Sequence, residues 1–146
     1  MNDVILVGTD GSEVSTRAAL HALSRVKDSA TRLHVVYVYE WSRYEILSLE
    51  QIEARHKEHK VEIDRAQSGV LDPLVADLKS RGGDVEVTSE VCHGHAPEIL
   101  CQKADELGAS QIYIGRRGRS SMERLLFGSV ASSLVQTSPV PVTVVP

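Results

Sequence analysis

The sequence predicts an α/β fold: an open, mostly parallel sheet with helices on both faces. Three observations carry this. Short apolar runs and helical stripes alternate along the chain in the order β-α-β-α-β-α-β-α-β. The first apolar run, residues 4–7, has no polar alternation and suits a central strand covered on both sides. The connections are long enough for helical crossovers, which parallel neighbours require. No repeat, low-complexity tract or linker divides the 146 residues, so a single domain over 1–146 is expected.

The elements follow in order. Residues 4–9 form the first strand, stopped by the turn signal Asp10-Gly11-Ser12. Ser12 or Ser15 caps the next helix, whose apolar face is Ala18, Ala19, Leu20, Ala22, Leu23 and Val26. Residues 33–39, LHVVYVY, are a second strand. The longest connection, residues 45–81, opens with Ile46, Leu47, Leu49 and Ile52 and turns very polar through EARHKEHK. It recovers a helical stripe at Leu71, Leu74, Val75 and Leu78. Pro73 either interrupts one long helix or starts a second behind Asp72, and both readings stay open. Gly82-Gly83 ends that helix.

Val85, Val87 and Val91 alternate with Glu86, Thr88 and Glu90, which predicts a strand with one exposed side at a sheet edge. A helix over 96–107 has Pro97 in its first turn and Gly108 at its end. Residues 111–114 are a fourth strand, 128–136 a helix, Pro139-Val140-Pro141 a linker, and 142–145 a last short strand.

Composition excludes several functions. Sixteen basic and 20 acidic residues give a net charge of −4, which argues against a dedicated nucleic-acid binder. Aromatic residues are only 4%, too few for a base-stacking platform. Two cysteines do not make a disulfide scaffold. No apolar run approaches the roughly 20 residues that cross a bilayer, and MNDVILVGTDG lacks a basic leader. A cytoplasmic protein without membrane insertion is expected.

The chemistry concentrates after the fourth strand. Gly115 and Gly118 follow it, then a basic loop, then Gly128-Ser129 opening a helix. Four arginines, Arg116, Arg117, Arg119 and Arg124, face one acid, Glu123. Glycines allow close backbone approach, and the N–H groups of a helix start favour phosphate. Neither a Walker A loop nor GxGxxG is present. The competing reading is plain turns with solvated arginines. Asp10, at the end of the first strand, shares a cleft with Gly115 if the two strands are neighbours. It then accepts from a base or ribose hydroxyl or holds Mg²⁺. Its alternative role is to close its own D-G-S turn.

These residues resemble the universal stress protein (UspA) family. Nucleotide-binding members carry G-2x-G-9x-G-S/T, matched here by Gly115, Gly118, Gly128 and Ser129. The words VGTDGS, LHVVYVY and SPVPVTVVP are similar too. The resemblance implies a five-stranded parallel sheet in the order 3-2-1-4-5 and binding of ATP, with Mg²⁺. It sets Thr9 and Asp10 beside adenine and ribose and Val38 against the base. Ile114 and Gly115 would line the nucleoside side, and Arg117, Gly118 and Arg119 would meet ribose and phosphates. Gly128, Ser129, Val130 and Ala131 would hold the phosphates. It also implies a homodimer in which last strands pair antiparallel. Gly8 departs from the family, where Pro is common, and Arg119 stands where the family varies.

Other constellations are weaker. Cys92-His93-Gly94-His95 with Cys101 lacks CxxC or HExxH spacing, so no metal is assigned. Cys101 reads as a small buried hydrophobe, and His56 and His59 as solvated surface. No serine sits in a G-x-S-x-G elbow, and no carboxylate is identified to orient a water, so no catalytic residue is assigned. The expected function is an ATP-binding stress or regulatory protein with an unknown protein partner. The alternatives are a weak ATPase or phosphotransferase, and a non-enzymatic adaptor.

Overall fold

A run of hydrophobic residues with no wet face needs cover on both sides, and the chain supplies it with one five-stranded sheet. The computed structural model describes residues 3–26, 28–40, 48–117 and 128–146. The strands are β1 (Asp3–Thr9), β2 (Thr31–Tyr39), β3 (Glu86–His93), β4 (Gln111–Gly115) and β5 (Val142–Val145). They lie in the order β3-β2-β1-β4-β5, and every neighbouring pair is parallel. The chain builds outward from β1 to β3, then crosses back to β4 and β5 on the other side. The order therefore reverses between β1 and β4.

The helices are α1 (Glu13–Ser24), α2 (Leu49–Arg65), α3 (Asp72–Gly82), α4 (Ala96–Leu107) and α5 (Ser129–Thr137). α1 and α3 cover one face, where Ala19, Ala22, Leu74 and Leu78 meet Ile5, Val7, Leu33 and Val35. α4 and α5 cover the other, where Leu100, Ala104 and Leu134 meet Leu6, Val36, Ile112 and Ile114. Odd and even positions of β1 thus point to different helical layers, the consequence of a period of two. β3 is an edge strand with much of its length half-exposed, as its alternation predicts.

The long connection combines the two open readings. α2 runs through a π-helical turn, Ala66–Leu71, directly into α3. Ala66, Leu71 and Asp72 all keep helical backbone angles, so the path never breaks. Pro73 lies in the first turn of α3. It has no N–H to donate and its ring crowds the preceding turn, and the wider π turn takes up that misfit. The expected stripe is real in α3, where Leu74 and Leu78 are buried. α2 buries no residue, and Leu49 is 82% exposed. Ile46 and Leu47, at the apolar opening of the connection, lie outside the described residues.

Smaller expectations shift by a residue or two. β2 starts at Thr31, β4 extends to Gly115, and α5 starts one residue after Gly128. α4 and β5 match their predicted spans. Gly83 and Gly108 adopt φ of +59° and +62° at the ends of α3 and α4, where a side chain would be strained. Cys101 is half-buried rather than fully buried. His59 is not simply solvated: its ring meets Tyr39 edge-on at 5.8 Å. Among the described residues, no helix is long and apolar enough to cross a membrane.

Candidate functional site

The site is the crevice at the carboxyl ends of β1 and β4. The two strands pair in parallel through Ile5 with Gln111, Leu6 with Ile112 and Val7 with Tyr113. Their ends therefore reach the same rim, and Thr9-Asp10 stands beside Gly115-Arg116-Arg117. This is where open parallel sheets bind ligands, because the diverging crossovers leave a gap.

One side of the crevice is the start of α1, a closed set of hydrogen bonds. Ser12 caps the helix by accepting from Ser15 N at 3.2 Å. Ser15 Oγ donates to Ser12 O at 2.9 Å, so the Thr9 hydroxyl donates to Ser15 Oγ at 2.8 Å. Thr9 Oγ1 also accepts from Gly11 N at 3.2 Å. Thr9 is buried, and its hydroxyl serves this turn. Asp10 Oδ1 accepts from Ser12 N at 2.9 Å, which is the turn-closing role.

The other side is the start of α5, and it is built differently. Arg116 N donates to Val145 O at 2.7 Å, and Gly128 N donates to Arg116 O at 2.8 Å. Both ends of the glycine- and arginine-rich segment are thereby pinned between β5 and α5. Gly128 takes the extended N-cap conformation and offers no capping side chain. The first N–H groups of α5 point out of the helix beside the crevice. That end carries a partial positive charge, which suits an anion.

The predicted residues divide by what they present. Ser129 is exposed at the helix start, and Val130 is half-buried. Ala131 and Ile114 are buried in the core between the sheet and α4–α5, so their side chains serve packing. Val38 packs against the same core. Arg117 is half-buried at the rim. Gly118 and Arg119 lie outside the described residues. Gly115 needs to be glycine for a reason other than ligand approach. A Cβ there would lie 2.7 Å from Val14 Cγ1, 3.1 Å from the Val14 carbonyl carbon and 3.2 Å from Ser15 N. The first turn of α1 occupies that space.

Two features escaped the sequence reading. The Arg116 Nε atom is buried and has no hydrogen-bond partner among the described residues. Its only signal in the sequence was membership of the arginine cluster. The second is a polar network beneath α4. His34 Nδ1 lies 2.6 Å from Thr88 Oγ1, and His34 Nε2 lies 3.4 Å from Glu90 Oε2, an ion-pair distance without hydrogen-bond alignment. Lys103 Nζ donates to Glu90 Oε1 at 2.7 Å, and the Cys92 thiol donates to the same oxygen at 3.0 Å. Burial holds the His34 imidazole below its ordinary pKa, against the pull of Glu90. Burial and Glu90 push the Cys92 thiol up to about 12, so it is not a ready nucleophile. Among the described residues, no group of three or more His, Cys, Asp or Glu is placed to hold a metal ion.

Known proteins share this architecture. Universal stress protein MJ0531 of Methanocaldococcus jannaschii is 30% identical over 145 residues, covering 97% of this chain and 80% of the relative. Several mycobacterial relatives are longer, and the chain spans 44% of universal stress protein Rv2005c of Mycobacterium tuberculosis. A universal stress protein from Archaeoglobus fulgidus in complex with dAMP superposes with a TM-score of 0.66 at 18% identity, covering 100% of this chain and 98% of that one. Another universal stress protein, in complex with cAMP, superposes with a TM-score of 0.65 at 21% identity, over 99% and 97% of the two chains. At such identities the likeness is one of fold. The sequence pattern of the Universal stress protein family matches residues 1–146, and the chain belongs to that family.

Proposed function

We propose that this protein binds an adenine nucleotide, ATP with Mg²⁺, at the β1–β4 crevice and acts as a nucleotide-dependent regulatory protein. The carrying observation is the start of α5: an N-terminus with a glycine cap, pinned by Gly128 N to Arg116 O beside the reversal of strand order. The phosphates sit on the N–H groups of Ser129, Val130 and Ala131, with the Ser129 hydroxyl adding a donor. Arg117, Gly118 and Arg119 lie along the ribose and phosphates. Thr9, Asp10, Val38, Ile114 and Gly115 flank the nucleoside. That two proteins of the same fold are known with cAMP and dAMP agrees with adenine as the base.

The same chain holds nucleotide rather than consuming it quickly. The sequence carries no Walker B pair and no motif that assigns a carboxylate to orient a water, as dedicated phosphoryl-transfer enzymes have, and this supports the reading. Turnover with Mg²⁺ is expected far below the enzyme median of about 10 s⁻¹. β5 is a half-exposed edge strand that among the described residues has no strand on its outer side, and that edge fits a second copy of the chain, giving a homodimer.

Mass spectrometry of ligand released from gently purified protein tests the reading. ATP or ADP is the expected species. Competition among ATP, cAMP and dAMP in titration calorimetry then ranks the ligands. Protein that carries no nucleotide and binds none of the three would overturn it.

A further inference from the structure

The polar network beneath α4 interrupts an otherwise apolar layer. His34 stands in the middle of β2 and is only 6% exposed. By strand alternation it shares its face with Val36, which packs with Leu100 and Ala104 of α4. Its Nδ1 meets Thr88 Oγ1 at 2.6 Å. Its Nε2 is buried and has no hydrogen-bond partner among the described residues, although Glu90 Oε2 stands 3.4 Å away.

Glu90 is already engaged. Its Oε1 accepts from Lys103 Nζ at 2.7 Å and from the Cys92 thiol at 3.0 Å. Lys103 also reaches Glu106 Oε2 at 3.2 Å. These bonds tie the edge strand β3 to α4. The charges that act on His34 come from three elements: Arg32 on its own strand, Glu90 on β3 and Lys103 on α4. Glu86 lies opposite Arg32 in the strand register, and β1 contributes the apolar Leu6 in register with His34. Hydrogen bonds to carboxylates hold Lys103 charged, its partners hold Glu90 ionised, and Cys92 keeps its proton. Histidine is the member of such a set that changes charge between pH 7 and 5.

We propose that this cluster is a proton-operated latch: one proton taken up at His34 Nε2 loosens the seam between β3 and α4 and leaves the β4–α5 half of the sheet closed. A buried imidazolium needs a partner for its second N–H. Turning the Glu90 carboxylate toward Nε2 draws Oε1 away from Lys103 and Cys92. Admitting water instead parts α4 from β3. Either response weakens the same tie, beside two cations that already oppose a third positive charge. β3 is the element free to yield, since among the described residues it has a strand on one side only. The β4–α5 contact is apolar, built from Ile112, Ile114, Ala131 and Leu134, and has no such group to titrate.

Hydrogen exchange on the full chain at pH 7, 6 and 5, corrected for the intrinsic rate, tests this. Amides in the middle of β3 and α4 should lose about tenfold or more of their protection between pH 7 and 5, because opening becomes easier below the ordinary histidine value near 6.5. Amides of β4 and α5 should change by less than about twofold. His34→Gln should hold the β3 and α4 loss within about twofold, whereas His59→Gln, which alters the other ring near the end of β2, should leave it as in the parent. An equal loss in β4 and α5, no loss in β3 and α4, or a full loss in His34→Gln overturns the proposal. If circular dichroism shows that His34→Gln does not fold, Glu90→Gln replaces it. Removing the carboxylate that favours the imidazolium should enlarge the β3 and α4 loss several-fold, and an unchanged loss there overturns the proposal as well.

Discussion

Two helices begin at the same crevice, and they begin in opposite ways. α1 starts from Asp10-Gly11-Ser12, where Ser12, Asp10, Thr9 and Ser15 satisfy one another through five short bonds. α5 starts from Gly128, which has no side chain to cap it. Both helices have the same dipole and the same orphan N–H groups. What differs, among the described residues, is whether a capping side chain supplies the acceptor. A closed start is a structural corner, while an open start leaves its donors for something else. The comparison assigns the α1 side to shape and the α5 side to charge.

The largest expected effect comes from making the open start resemble the closed one. Gly128→Asp supplies a capping carboxylate and a negative charge where the proposed function places the phosphates. It should leave the thermal midpoint equal or slightly higher, because Asp caps better than Gly by a few tenths of a kcal/mol. It should weaken ATP by about 100-fold or more, through occupied donors and charge repulsion. Calorimetry beside a thermal melt separates the two. A variant that melts normally and still binds ATP like the parent would break the distinction between the two starts.

Next in size is the contact that sets the crevice width. Gly115→Ala drives a Cβ into Val14 and should cost about 1–3 kcal/mol of stability by overpacking. Adding Val14→Ala removes the nearest atom but leaves the Val14 carbonyl carbon and Ser15 N within 3.2 Å. The double variant should thus regain only part of the loss in a denaturant titration. Full rescue would show that the side chain alone, and not the helix backbone, demands the glycine.

A smaller effect sharpens the comparison from the α1 side. Ser12→Ala removes the cap and should cost about 1 kcal/mol. ATP affinity should move by less than about twofold, since those donors serve the turn. A tenfold loss of affinity at unchanged stability would give the α1 start a ligand role after all.

The smallest effect lies away from the crevice, in the His34–Glu90 network. The His34 pKa is lowered by burial, so the folded state resists protonation. Its contribution is complete above the ordinary His value near 6.5 and falls away as pH drops through it. Burial raises the Glu90 pKa, but hydrogen bonds from Cys92 and Lys103 outweigh that and the net shift is downward. Its contribution is lost only at lower pH, below the ordinary carboxylate range. Thermal midpoints measured from pH 8 to about 2 should fall in that sequence, and His34→Gln should flatten the first step. A midpoint that rises on acidification through pH 6.5 would contradict the sign.

Local pattern was enough for most of the elements because each carries its own signal. α4 is bounded by Pro97 in its first turn and Gly108 at its end, and both signals act within one turn of the chain. β3 announces an edge by alternation alone. α2 carries the very polar run EARHKEHK, and among the described residues it buries none of its side chains. The path through Pro73 was undecidable locally, since a kink and a new start satisfy the same missing N–H. The strand order 3-2-1-4-5 and the nucleoside-side residues of the proposed site, Val38 and Ile114, came through family resemblance, while Gly115, Gly118, Gly128, Ser129 and Asp10 were also legible as an anion-binding pattern.

The sequence by itself determined the alternation of strands and helices, the edge strand and the glycine and arginine signature after β4. These depend on residues within a few positions of one another. Only the tertiary structure decided what each polar group at the crevice does. Thr9 turns its hydroxyl toward Ser15, and Gly115 makes room for Val14. Arg116 is held between Val145 and Gly128 with its Nε buried. Each of those outcomes depends on a neighbour brought in by a crossover or a turn. Burial and partnership are properties of the packed neighbourhood, and a linear pattern contains the residues without their distances.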